Sequence, residues 1–172
     1  MKKKILLLIF PLLLLSQACT YKLSLNGASI PPELKTINVS FFENTAPYVV
    51  NNLSQTFTEA LKDRIRSQTS LSLVRGEADA TLEGQITGYT IAPASVQATS
   101  DNRAPVAGLT RLTITIKAKY TNIANKKYNF EESFTRFKDF AGDISSQEQT
   151  LIQALNKQLT EDIFNRAFAN WA

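Results

Sequence analysis

Histidine is absent from this 172-residue chain, and cysteine, tryptophan and methionine each occur once. Without imidazole, His-based nucleophile–base triads and histidine-containing zinc sites are excluded. A single thiol, Cys19, permits no intrachain disulfide, so the fold must stand on its core even in an oxidising compartment. Glycine-rich phosphate cradles are also lacking, since the nearest pattern, Gly84 to Gly88, lies inside an alternating segment. The carboxylates are scattered. Glu131 and Glu132 are neighbours on an expected strand and so point to opposite faces. Asp139 and Asp143 flank Gly142 in an expected loop, where turn formation accounts for them. These absences leave no residue set for catalysis, and neither a cofactor nor a metal site is expected.

The long apolar run is at the start. Lys2, Lys3 and Lys4 precede Ile5 to Leu15, followed by Ser16, Gln17, Ala18 and Cys19. This is the plan of a secretory signal peptide, and the run is too short to span a bilayer of about 30 Å. Cysteine directly after Ala18 makes it a lipoprotein signal, although Ser16 stands where leucine is commoner. The thiol would be acylated, the bond before it cut, and the new amino terminus acylated in turn. Two or more acyl chains, at roughly 0.8 kcal/mol per buried CH2, give a stable membrane anchor. Thr20 rather than aspartate follows the cysteine, and no acidic run comes after it, so neither an inner-membrane retention signal nor a surface-export signal is present. The expected location is the outer membrane, lipid-anchored and facing the periplasm.

Removing the leader changes the meaning of the charge. The formal net charge of +4 includes Lys2, Lys3 and Lys4; the remaining 154 residues carry 16 basic and 15 acidic groups, a net of +1. The basic excess therefore belongs to targeting, and no nucleic-acid partner is expected. A chain of this length makes about one domain. The expected division is a signal peptide over 1–18, a lipidated N-terminus and tether over 19–36, and a single domain over 37–172.

Within that domain, Tyr21, Leu23 and Leu25 alternate as in a short edge strand, and Ile30-Pro31-Pro32 enforces an extended connection. Ile37 to Phe42 reads as a strand, and Asn44 to Pro47 as its stop. From Tyr48 to Ser67, the positions Val49, Val50, Leu53, Phe57, Ala60, Leu61 and Ile65 form one helical stripe. Leu71 to Val74 is a short strand reached through that helix, and so parallel to the first. Three longer segments follow as an antiparallel meander: 78–91, 109–121 and 128–137. In the first, Ala80, Leu82, Gly84, Ile86 and Gly88 face inward and Thr81, Glu83, Gln85, Thr87 and Tyr89 outward. In the second, Leu112, Ile114, Ile116, Ala118 and Tyr120 face inward, with Arg111, Lys117 and Lys119 outward. Such alternation marks a sheet with one dry and one wet face. Gly84 and Gly88 either admit a close helix or mark bulges. Ser145 and Glu148 form a capping box for a last helix, whose broad stripe runs from Leu151 to Trp171. Two amphipathic helices and a sheet with one dry face predict an α+β, two-layer sandwich, with both helices on one face of a mixed four- to five-stranded sheet.

Two regions are candidates for binding. Residues 92–108 read as a long polar loop, where a hairpin needs only a few residues. The wet face carries Arg111, Lys117 and Lys119, suited to phosphorylated lipid or to simple solvation of the sheet.

The residues around the anchor carry a resemblance. Cys19, then Tyr21-Lys22-Leu23-Ser24-Leu25-Asn26-Gly27, then Ile30-Pro31-Pro32-Glu33-Leu34-Lys35-Thr36-Ile37 before the first strand, is similar to the entry region of the LPS-assembly lipoprotein family, LptE. The order of strands, helices and long loop resembles that family over the whole mature chain. Segments 44–61 and 77–93 resemble its Bacteroidetes-type members. The resemblance implies a domain at the inner leaflet of the outer membrane that plugs the β-barrel translocon LptD, helps that barrel fold, and contacts lipopolysaccharide. Its lipid-contacting residues do not map by motif; Arg103, Arg111, Lys117 and Lys119 are candidates by charge and expected exposure. The alternative class is another periplasmic lipoprotein adaptor, such as an activator of a cell-wall synthase or a secretion-pore subunit.

Overall fold

A computed structural model describes residues 30–48, 50–97 and 106–169. Strand β1 (Thr36–Val39) and the short β2 (Glu43–Asn44) precede helix α1 (Leu53–Gln68). Then come β3 (Ser72–Leu73), β4 (Ala80–Gln97), β5 (Val106–Asn122), a 3-10 turn (Lys126–Tyr128), β6 (Phe130–Phe140) and helix α2 (Glu148–Phe168). The sheet order is β3-β1-β4-β5-β6, with β2 pairing β4. β3 lies parallel to β1, as the helical crossover requires. β4, β5 and β6 form the antiparallel meander. Both helices cover one face, so the α+β two-layer expectation holds, with β2 as an additional short strand.

One apolar cluster joins the layers. Leu53, Phe57, Leu61 and Ile65 of α1, and Leu155, Leu159, Ile163 and Phe168 of α2, are fully buried against Leu82, Ile86, Leu112, Ile114, Ile116 and Tyr120. At roughly 1.5–3 kcal/mol per buried side chain, this face dominates the stability. Phe42 meets Phe57 edge-on at 5.2 Å, and Tyr120 meets Phe168 edge-on at 5.8 Å. The Tyr120 hydroxyl is pushed up to about 12 because burial disfavours its anion. Asp79 ties the start of β1 to the start of β4. Its Oδ2 accepts from the Lys35 and Thr36 amides at 3.0 and 2.8 Å and from the Thr36 hydroxyl at 2.8 Å.

Several local expectations are corrected. The first strand does not run unbroken from Ile37 to Phe42. Val39 pairs with Leu82 and Glu43 with Gln85, so this side of the ladder holds one extra residue. The extra residue turns Phe41 outward, 55% exposed, and seats Phe42 in the core. Gly84 is where Phe42 fits. A Cβ there would lie 2.5 Å from the Phe42 ring and 2.2 Å from the Lys117 carbonyl oxygen, so the close approach is made by a phenyl and a strand rather than a helix. A second register shift separates Ile86 from Gly88 and reverses the alternation. Tyr89, expected outside, is consequently buried.

The helix starts differ as well. α1 begins at Leu53 rather than near Tyr48, after Asn52 in the left-handed region that asparagine tolerates. Tyr48 stacks on Tyr89 instead, at 5.6 Å. The Ser145–Glu148 capping box does not form, because the Ser145 hydroxyl donates to Asp143 at 2.8 Å and the helix begins at Glu148 itself. Asp139 lies within β6 rather than in a loop. The expected strand at Tyr21–Leu25, together with Val49 and Trp171, lies outside the described residues.

A paired polar face and a long hairpin

The dry-in, wet-out alternation of β4–β6 builds the candidate surface, and strand register decides who meets whom across it. Lys117 is opposite Ser133 on β6, and its Nζ reaches the neighbouring Glu131 Oε1 at 2.6 Å. Lys119 is opposite Glu83 on β4 and bonds it at 2.8 Å. Arg111 is opposite Asp139. Its Nε donates to Oδ1 at 2.7 Å and its Nη2 to Oδ2 at 2.9 Å, while the guanidinium covers the Phe137 ring at 3.8 Å. The hydrogen bond from Lys117 holds the Glu131 carboxyl below its ordinary range, and that from Arg111 does the same for Asp139. In the other direction, the bond to Glu83 raises Lys119. Three cations thus stand exposed on the wet face, each matched by a carboxylate. Sequence alternation placed the cations; their partners Glu83, Glu131 and Asp139 follow from register, which alternation does not reveal.

Next to this face is a shallow cleft of about 380 Å³, bounded by Ser40, Phe41, Glu43, Gln85 and the Glu83–Lys119–Glu131–Lys117 row. Its carboxylates Glu83 and Glu131 are held by ammonium groups, and no group of three possible metal ligands occurs among the described residues. On the helix-covered side, Glu132 and Arg136 of β6 meet α2, with Arg166 donating to Glu132 at 2.7 Å and Arg136 to Asp162 at 2.5 Å. Glu131 and Glu132 therefore do face opposite ways.

Of the loop expected over 92–108, residues 92–97 and 106–108 are strand and 98–105 lie outside the described residues. β4 continues to Gln97 and β5 begins at Val106, with Ala92 paired to Arg111 and Gln97 to Val106. Backbone pairing runs across the hairpin, and Pro93, lacking a donor, sits beside a register shift. Residues 91–94 and Leu109 are exposed. Arg103 and Cys19 lie outside the described residues. Tyr89 is a site feature that alternation missed. Its hydroxyl donates to Glu148 Oε1 at 2.7 Å, and burial, then that bond, raise it well above the ordinary tyrosine range. Gly88, interrupting an apolar alternation, is the sequence signal of the bulge that turns it inward.

Two helices on one face of a mixed sheet, with a long antiparallel hairpin and a wet outer face, define a class of small two-layer α+β domain. Solved structures share the fold. A hypothetical protein from Chlamydia trachomatis superposes with a TM-score of 0.52 at 11% identity, covering 77% of this chain and 94% of its own. An uncharacterized lipoprotein B from Nitrosomonas europaea gives 0.51 at 16%, covering 84% and 88%. The rare lipoprotein B from Shewanella oneidensis gives 0.50 at 11%, covering 76% and 92%. None of the curated proteins matches the chain. The sequence pattern of the lipopolysaccharide-assembly family, LptE, matches residues 34–167, and the chain belongs to that family. It is an LPS-assembly lipoprotein of the cell envelope, and among the described residues no helix is long and apolar enough to cross a membrane.

Proposed function

We propose that this chain is the non-enzymatic plug and assembly partner of an LptD-type β-barrel, assisting lipopolysaccharide transport to the cell surface. The observation that carries the reading is the family match, which spans the domain from Leu34 in the core to Ala167 in the last turn of α2. Residues 1–18 act as a lipoprotein signal, Cys19 carries the acyl chains, and residues up to about 36 tether the domain to the periplasmic leaflet of the outer membrane. The wet face supports a position inside a barrel, because barrel interiors are polar and its charges are internally balanced. The hairpin of β4 and β5 supplies a paired two-stranded arm on which residues 91–94 and Leu109 are exposed. Arg103, Arg111, Lys117 and Lys119 are the proposed contacts to lipopolysaccharide or to the barrel wall. Lys117 and Lys119 keep about half their side-chain surface in water, so an anionic group has access to exchange with Glu131 or Glu83.

The test is affinity isolation of the full-length, lipidated protein from detergent-solubilised outer membranes, with mass spectrometry of what comes with it. A stoichiometric large β-barrel is expected. Recovery of a cell-wall synthase, or of a symmetric ring without a barrel, overturns the reading.

A further inference from the structure

Arginine lies over phenylalanine twice in this molecule, each time with a carboxylate two residues further along the same strand. Arg166 covers the Phe130 ring at 4.6 Å and donates to Glu132 at 2.7 Å. Arg111 covers the Phe137 ring at 3.8 Å and donates to both carboxylate oxygens of Asp139. Strand geometry explains the spacing. Residues i and i+2 project from one side about 6.5–7 Å apart, so a single guanidinium can face the ring and reach the carboxylate.

A third pair of this kind is Phe41 and Glu43, on the extended segment that enters β2. Phe42 between them is fully buried, while Phe41 and Glu43 stand outward and border the shallow cleft on the wet face. Glu43 is opposite Gln85, which is in turn opposite Lys117. Lys117 is bonded to Glu131, however, and Lys119 to Glu83, so Glu43 has no ion-pair partner among the described residues. The cleft therefore carries three carboxylates against two ammonium groups, an excess of one negative charge. An exposed phenyl alone is ordinary. This one is held outward by an inserted residue, beside a carboxylate without a cation, in a spacing that the chain elsewhere completes with arginine.

We propose that Phe41 and Glu43 receive an arginine side chain from the inner wall of the barrel, its guanidinium over the ring and its fork on the carboxylate. The local charge disfavours a phosphate here, which leaves anionic lipid to Lys117 and Lys119. Arginine is specified over lysine because a planar guanidinium both stacks on a ring and binds a carboxylate through two N–H groups. The identity of the partner rests on the barrel reading; the preference for a guanidinium does not.

The first measurement leaves the barrel out. The full-length protein in detergent micelles is titrated with N-acetyl-arginine amide and with N-acetyl-lysine amide, and the Phe41 ring signals, assigned through Phe41→Leu, are followed by NMR. Saturable shifts are expected with the arginine probe, about threefold weaker with the lysine probe and lost in Glu43→Gln. No response, an equal response to both probes, or one that survives Glu43→Gln overturns the guanidinium site.

The partner is then read in outer membranes. Gln85→p-benzoylphenylalanine, beside Glu43 in the ladder, is expected to crosslink on illumination to a barrel peptide with an arginine adjoining the joined residue. Glu43→Arg is expected to lower the barrel recovered by affinity isolation about tenfold, and exchange of that arginine for glutamate to restore it. Glu59→Arg on α1 is the control, at parent recovery. A crosslink within this chain, such as to a peptide holding Lys22, or recovery indifferent to Glu43→Arg, overturns the barrel as the source of the arginine. A parent that brings down no barrel overturns the plug reading and the partner with it, while the titration decides the guanidinium site.

Discussion

The two faces of the β4–β6 meander share one backbone and one register, yet they hold by different physics. On the helix-covered face Leu112, Ile114, Ile116 and Tyr120 are fully buried, and Tyr120 and Phe168 meet edge-on. On the open face, alternate residues of the same strands form ion pairs whose side chains stay about one-third to one-half exposed. Burial of a large side chain is worth several times an exposed ion pair, which contributes about 0–1 kcal/mol. The dry face therefore carries the fold, and the wet face can vary its contacts at little cost to stability. That is the division of labour the proposed plug would require.

The comparison is tested most severely on the dry side. Phe57→Ala, removing a fully buried ring that meets Phe42, is expected to lower stability by about 3–5 kcal/mol, read from urea unfolding. A loss below about 1 kcal/mol would show that the helix-covered face does not dominate. Gly84→Ala comes next, at about 1–3 kcal/mol, because its methyl would press on the Phe42 ring and the Lys117 carbonyl. A variant as stable as the parent would mean that the two strands separate freely at this point.

At the junction of the faces, three donors hold the Asp79 carboxyl below its ordinary value of 3.8. A depressed folded value means that the contribution is complete above the unfolded value and lost as pH falls through the folded one. Thermal melts of the parent and Asp79→Asn should therefore differ at pH 6 and draw together as the pH falls below the ordinary value of 3.8. A gap that widened with acid would reverse the sign. The smallest stability effect belongs to the wet side. Lys117→Ala or Lys119→Ala should shift unfolding by less than about 1 kcal/mol. The proposed function adds that the double variant recovers less barrel or lipopolysaccharide at unchanged expression. Equal recovery would remove these lysines from the contact surface.

The legible parts of this fold are those with a clean period. The stripe of Leu53, Phe57, Leu61 and Ile65, and the alternation from Leu112 to Tyr120, each place their residues on the buried side. Misreadings arise where one residue is inserted or a cap is exchanged. The extra residue before β2 exchanges Phe41 with Phe42, and the bulge at Gly88 exchanges the face of Tyr89. Period-2 reasoning fails from such a point onward, because a single insertion inverts every following side chain. The long hairpin was read as loop because its outer part has no apolar alternation. Its strands are held by backbone pairing, which small and polar residues satisfy equally well.

By itself, the sequence determined which faces are dry, that two helices share one of them, and that the wet face displays Arg111, Lys117 and Lys119. Those properties follow from local period and from the free energy of removing apolar surface from water. Only the tertiary structure decided that each of these cations has a carboxylate partner, that Gly84 makes room for Phe42, and that Tyr89 turns inward at the Gly88 register shift. The reason is that partners across strands are chosen by register and strand order, which join residues up to dozens of positions apart and leave no mark in local pattern.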